Sequence, residues 1–369
     1  MKQLSSKQCK LIMLFYVCLN KIMLLPSLIC SNLTNNFWVC LMIMFLIEFM
    51  FILMILNINK DNPDLTIKQR MKNAFGEHFT RIFYMFLGIL LLIKAVFAVH
   101  ECYIFLFDAL YTNYKWIEML IPLTIYLFYV GMKDFTNFGR TIEIIRFIIY
   151  GCIGVALFDA LPNLNALSML PIITTTAPRV VSTSFYYMLW FGDFLLLFFM
   201  VGDIKLDKKM HTKILSGWLT GVLITMIVML FFYMTYGILS PLKRMALIDI
   251  TQFVPKLSNS SNFSWLVTTS WTIPIFFNLG LIVYLVCQSF AITFKVKQSN
   301  RKILSFIVVA MIVGILTLFN FSLNNLIDFL IGGFDIYVLI VQYVLPLLIL
   351  PICVLKCKKP AKRQVKYAK

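Results

Sequence analysis

The chain has 369 residues, of which 61% are hydrophobic and only 13% charged, and its mean hydropathy is +0.88. A water-soluble fold of this composition would lack the polar surface it needs, whereas a helix bundle facing lipid requires such a composition. The formal charge of +17 calls for no nucleic-acid partner, because the placement of the basic residues accounts for it.

Ten apolar segments follow one another, long enough as helices to cross roughly 30 Å of hydrocarbon. In chain order they are expected at Leu11 to Cys30, Phe37 to Leu56, Phe79 to Leu110, Trp116 to Val130, Ile142 to Leu161, Ser184 to Val201, Ile214 to Leu239, Trp265 to Phe294, Ile303 to Phe319 and Tyr337 to Leu355. Counted on alternate sides of these spans, 26 Lys and Arg fall on one side and 5 on the other, with Lys21 and Lys94 inside spans. That bias predicts cytoplasmic termini and requires an even number of spans. The expected organisation is a single transmembrane domain over 1–356 and a basic cytoplasmic tail over 357–369 that contacts anionic lipid. Lys2, Lys7 and Lys10 before an apolar run also describe a signal peptide. Cleavage there would leave an odd span count and break the charge alternation, so the segment is read as the first span.

The nine cysteines have no paired spacing and read as packing residues. Three histidines, with only His100 in a span, and no His/Cys/Asp cluster predict no metal site. No phosphate-cradling glycine loop or nucleophile elbow occurs. Neither cofactor nor catalytic residue is expected, and the chain is not read as an enzyme. Sequons at Asn32, Asn259, Asn262 and Asn320 fall at expected outer ends or loops, where Asn- and Ser-rich segments produce them by chance.

A charge inside a bilayer is costly and faces a cavity or a partner. At about 1.5 Å of rise per residue, Lys21 in span 1, Glu48 in span 2, Lys94 in span 3 and Asp193 in span 6 all arrive near the midplane. Two cations and two carboxylates at one depth can neutralise each other if their helices are neighbours. Such an intramembrane charge cluster is either a structural set of ion pairs or a substrate or ion site. In span 3, Lys94, Glu101 and Asp108 share one helical face. That face is either a wall of a polar pathway, with His100 beside it, or a stripe of hydrogen bonds to spans 1 and 8.

Spans 1 and 6 both carry interrupting signals: Asn20-Lys21 with Pro26, and Trp190-Phe191-Gly192-Asp193. Breaks at corresponding places in two five-helix halves point to an inverted-repeat transporter whose ligand binds where half-helix ends meet. Freed N–H groups and a positive helix end suit a carboxylate, so an amino acid is the expected ligand. After span 7, the amphipathic stretch Met245 to Leu257 is expected as a lid over the outer vestibule.

Ser6-Lys7-Gln8 leads into Asn20-Lys21-Ile22-Met23-Leu24-Leu25-Pro26-Ser27, Gly139-Arg140-Thr141-Ile142-Glu143-Ile144 opens span 5, and the run Ser184 to Asp193 carries an aromatic-Gly-acid pattern. Through these segments the chain resembles the endospore germination permeases, the B subunits of spore germinant receptors. That family belongs to the amino acid-polyamine-organocation superfamily. The likeness covers most of the chain. It departs in span 1, where Lys21 replaces the usual glycines, and at Tyr114-Lys115-Trp116, where the family has Thr-Pro.

The resemblance implies an all-α membrane protein of ten transmembrane helices, a LeuT-like 5+5 inverted repeat (about 8–161 and 184–356) with interrupted helices 1 and 6. It implies a nutrient germinant receptor subunit in the spore inner membrane, working with A-type and lipoprotein C-type subunits and binding an amino acid at the midplane to trigger germination. Ligand-binding residues would be Asn20 and the backbone around Gly192 for the carboxylate, Asp193 or Glu101 for the amine, and Tyr187, Trp190 and Phe191 for the side chain. The Lys21 ammonium would need Glu48 or Asp193 to offset it. A secondary amino-acid or cation transporter on the same fold is the alternative.

Overall fold

The computed structural model describes the backbone of residues 4–58, 65–109, 116–200, 208–252 and 261–357. The side chains of Asp108 and Asn262, with Lys115, Asn259, the end of the Met245 to Leu257 stretch and the tail from 358 onward, lie outside the described residues. Among the described residues every regular element is helical.

Helix α1 (Ser6–Leu19) opens on a reciprocal capping box between Ser5 and Gln8, so the Ser-Lys-Gln signature is a helix start. It stops at Asn20, and α2 (Leu25–Leu33) begins with Pro26 in its first turn, where the missing N–H costs nothing. Next come α3 (Phe37–Ile58), the short α4 (Ile67–Phe75), α5 (Glu77–Ala109), α6 (Trp116–Gly131) and α7 (Phe135–Ala160). The second half runs through α8 (Ala177–Tyr186), α9 (Leu195–Met200), α10 (Lys208–Tyr236), α11 (Ala246–Gln252), α12 (Ser261–Phe294) and α13 (Arg301–Leu318). It closes with α14 (Leu323–Phe329), α15 (Asp335–Val338) and α16 (Leu345–Cys357), bent at Gly332-Gly333.

Among the described residues, 7 helical stretches are long and apolar enough to cross a membrane, and α8 with the segment Met188–Met200 meets the same length and apolarity only as a pair bent by 56°. The segments expected as spans 1 and 4 are not carried by one helix of crossing length: the first is split between α1 and α2, and α6 has 16 residues. Large apolar side chains such as Ile125, Ile144, Phe147 and Phe158 are exposed on the bundle's outside, which suits lipid rather than water.

Helix α1 is the inner post of the bundle, buried along nearly its whole length. It lies against α10, where a Cβ on Gly217 would meet the Lys10 carbonyl oxygen at 2.4 Å and one on Gly221 the Leu14 oxygen at 2.7 Å. Two glycines four apart thus let two backbones touch. Helix α12 packs along α5, and Ser289 Oγ donates to the Tyr84 carbonyl at 2.7 Å. These pairings bring the break after α1 and the break between α8 and α9 together. Of the expected lid, α11 is almost wholly buried, and Ala246 N–H donates to the Met23 carbonyl at 3.1 Å, an acceptor freed by the first break.

Candidate ligand site at the paired helix breaks

The second break begins where α8 ends at Tyr187. The chain makes one tight turn over Met188–Trp190, extends at Phe191 and reverses at Gly192 with φ +89 before α9 starts. Only glycine adopts that conformation without strain, and a Cβ there would also meet Gln342 Cδ at 2.4 Å. Gln342 itself donates to the Met188 carbonyl at 2.8 Å.

The four intramembrane charges meet around this break. Lys21 and Asp193 form an ion pair in which both side chains are fully buried. The Lys21 ammonium lies over the Phe191 ring at 5.0 Å and the Phe45 ring at 5.7 Å. Glu48 Oε1 accepts from the backbone N–H groups of Gly192 and, at 2.9 Å, Asp193. Lys94 donates to the Phe191 carbonyl at 2.9 Å, so one buried cation serves an acceptor that the broken helix leaves over.

Two of the expected ligand contacts are therefore occupied by the chain itself. The N–H groups around Gly192 are held by Glu48, and Asp193 is held by Lys21. A carboxylate at a half-helix N-terminus is what that end attracts, and here the carboxylate comes from α3. Among the described residues, Lys94 and Glu101 on one face of α5 make no side-chain hydrogen bond to spans 1 and 8. Their partners are Phe191 and, at 2.8 Å, the indole N–H of Trp190.

Beside this core lies a cavity of about 30 Å³ lined by Asn20 and Met23 from the first break, Lys94, Phe97 and Glu101 from α5, Trp190 from the second break, and Trp271, Ile275 and Asn278 from α12. Asn278 Nδ2 donates to Asn20 Oδ1 at 2.8 Å. The remaining amide nitrogen of Asn20, which lies beside the buried Tyr16 hydroxyl, and the amide oxygen of Asn278 are buried and make no further hydrogen bond of good geometry among the described residues. One donor, one acceptor, an ammonium and a carboxylate thus surround an otherwise apolar space. That combination has the chemistry to complement a small molecule bearing both charges, with aromatic rings for an apolar side chain. The present volume holds about two waters, so a larger molecule enters only if the lining moves.

Of the sequence-expected site residues, Asn20, Lys94, Glu101 and Trp190 line the cavity. Lys21, Glu48, Gly192 and Asp193 form the sealed frame behind it. Phe191 packs edge-on against Phe45 at 5.4 Å, and the Tyr187 hydroxyl accepts from Asn32 at 2.7 Å. Neither of these two faces the cavity.

The family model described as spore germination protein matches residues 3–326, most of the chain and both helix breaks. The chain belongs to the spore germination protein family. It is an integral membrane, permease-like member of that family. The matched range includes Asn278 and ends before Gln342. No curated protein matches the chain significantly.

Among the residues around this family member's cavity and second break that sequence reasoning missed, four stand out: Asn278, Gln342, Trp271 and Met23. Asn278 and Gln342 are amides in otherwise apolar segments, a signal of the same kind that singled out Lys94. Trp271, whose indole N–H meets Met23 Sδ at 3.1 Å, and Met23 itself carry no such signal, because an aromatic or a thioether in a membrane helix is ordinary.

Proposed function

We propose that this chain is a nutrient-sensing germinant receptor subunit that binds a small zwitterion, an amino acid, in the cavity between the two helix breaks. The reading rests on one observation above others: a buried amide group from each of Asn20 and Asn278, with hydrogen-bonding capacity left over among the described residues, shares a cavity with Lys94 and Glu101. Lys94 takes the ligand carboxylate, Glu101 takes the amine, Asn20 and Asn278 orient it, and Trp190 with Trp271 enclose its side chain. The frame of Lys21, Glu48 and Asp193 holds the half-helix ends in register without touching the ligand. Because the cavity is small, binding requires the lining to open, and that movement is the signal.

The fold proposed with this reading is a ten-span, LeuT-like five-plus-five repeat, and the paired breaks α1/α2 and α8/α9 support it. In this proposal both termini are cytoplasmic and the membrane is the spore inner membrane; the Lys and Arg distribution supports the orientation. A-type and lipoprotein C-type subunits are its partners. The test is thermal unfolding of the purified chain against a panel of amino acids, since a ligand that binds only the folded state raises the midpoint. A shift with one amino acid that disappears in Glu101→Gln and Lys94→Met supports the site. A shift retained in both removes these residues from it. Concentrative uptake of the same amino acid into liposomes would favour a transporter over a sensor.

A further inference from the structure

A second, larger recess lies on the bundle's flank between α6, α7 and α12. It has a volume of about 710 Å³, and its walls combine two cations, Lys133 and Arg140, with apolar and aromatic side chains such as Ile145, Phe276 and Phe277. Among the described residues no carboxylate lines it and neither cation is in an ion pair. Asp134, next to Lys133, is engaged by Arg301 at 3.6 Å and Gln298 at 3.4 Å, and Glu143, three residues after Arg140, accepts from Gln8 at 3.3 Å. Asp134 also makes no side-chain bond to the start of α7, so the positive end of a 26-residue helix adds to the two cations.

The recess has a direction. Lys133 follows the end of α6 and lies 4.0 Å from the Tyr129 ring, while Tyr126, about 10 Å further along the helix, donates to the Phe276 carbonyl at 2.7 Å. Charge gathers at the Lys- and Arg-rich end, and the wall becomes apolar toward the membrane interior. Tyr129 and Ile273 at its mouth are exposed on the lipid-facing surface. An amphiphile with an anionic head and a hydrocarbon tail fits this gradient, and the membrane around the protein supplies one.

We propose that this recess binds an anionic phospholipid, with the phosphate between Lys133 and Arg140 and the first part of an acyl chain along Ile145 and Phe276. Basic pockets between membrane helices recognise anionic headgroups in this way. The site is separate from the cavity at the helix breaks and does not depend on what that cavity binds.

The full-length protein is purified in detergent, stripped of lipid and exposed to equal amounts of phosphatidylglycerol and phosphatidylcholine, and bound lipid is counted by native mass spectrometry. Wild type is expected to keep phosphatidylglycerol preferentially. Lys133→Gln with Arg140→Gln is expected to lose that preference by about 30-fold. A charge-matched control on the same side, Lys209→Gln with Lys213→Gln, is expected to keep it. Equal retention of the two lipids by wild type, or an unchanged preference in the Lys133/Arg140 variant, overturns the proposal. Displacement of the lipid by glycerol phosphate at matched concentration also overturns it, since the recess would then be a soluble-phosphate site. Should the double variant not fold, Arg140→Gln alone, at an exposed position, gives the same readout.

Discussion

Glu48 accepts the backbone N–H of Asp193 at 2.9 Å, so a carboxylate from α3 closes the positive end of the half-helix α9. Two helices that never adjoin in sequence are thereby locked at the point where the backbone is least able to satisfy itself. The end that would otherwise attract an anionic ligand is filled from within, and ligand chemistry moves to the neighbouring cavity.

Removing that charge should therefore loosen the second break. Glu48→Gln keeps an acceptor but loses the charge assistance and leaves the Lys21, Lys94 and Asp193 set with a net positive charge. A loss of about 1.5–3 kcal/mol is expected, read as a lower unfolding midpoint in detergent. A midpoint equal to wild type would mean that the cap carries no stability.

The Lys21 and Asp193 pair is fully buried, and breaking such a pair from one side strands a charge. Lys21→Met and Asp193→Leu are each expected to destabilise by about 3–5 kcal/mol. The double variant should recover much of that loss, because nothing charged is left unpaired. Simple additivity in this cycle would show that the two residues act independently.

At Gly192, alanine meets two separate obstacles: the φ of +89 and the Gln342 side chain at 2.4 Å. Gly333 has a φ of +126 but open space around it, so its replacement by alanine meets a conformational cost without a clash, about 1–3 kcal/mol. Gly192→Ala should cost clearly more than Gly333→Ala, and adding Gln342→Ala should return part of the difference. Equal losses at the two glycines would remove the steric argument.

The contact of α1 with α10 depends on Gly221, where a Cβ would lie 2.7 Å from the Leu14 carbonyl oxygen. Gly221→Leu must push the helices apart and shift both breaks. Expression of folded protein, followed by size exclusion, should fall sharply. Gly151→Leu, at a position with nothing within 4 Å, should leave it unchanged; equal behaviour of the two variants would contradict the close-approach reading.

In the cavity, Lys94→Met and Glu101→Gln each remove one charged hydrogen-bonding group from the proposed ligand. Binding should weaken by roughly 10- to 150-fold in each case, as expected for losing 1.5–3 kcal/mol, measured by isothermal titration with the amino acid that stabilises wild type. Asp193→Asn is expected to act through stability rather than through ligand contact. A titration in which Asp193→Asn weakens binding at unchanged stability would return Asp193 to the site.

The sequence by itself determined the membrane class, because a chain 61% hydrophobic and 13% charged has no other stable environment. It also marked where helices are interrupted, since Pro26 opens α2 and Gly192 turns the chain before α9 through their own backbone chemistry and need no neighbour to do so. That four ionisable groups sit in apolar segments is equally readable from composition. Which of them pair was decided only by the tertiary structure. Lys21 and Asp193 are 172 positions apart, and their meeting depends on how α1 lies against α10 and how α8 bends into α9. The same packing sealed Asp193 and Gly192 behind Glu48 and left Lys94, Glu101, Asn20 and Asn278 around a cavity. A helical period shows which residues share a face, but it carries no information about what that face meets.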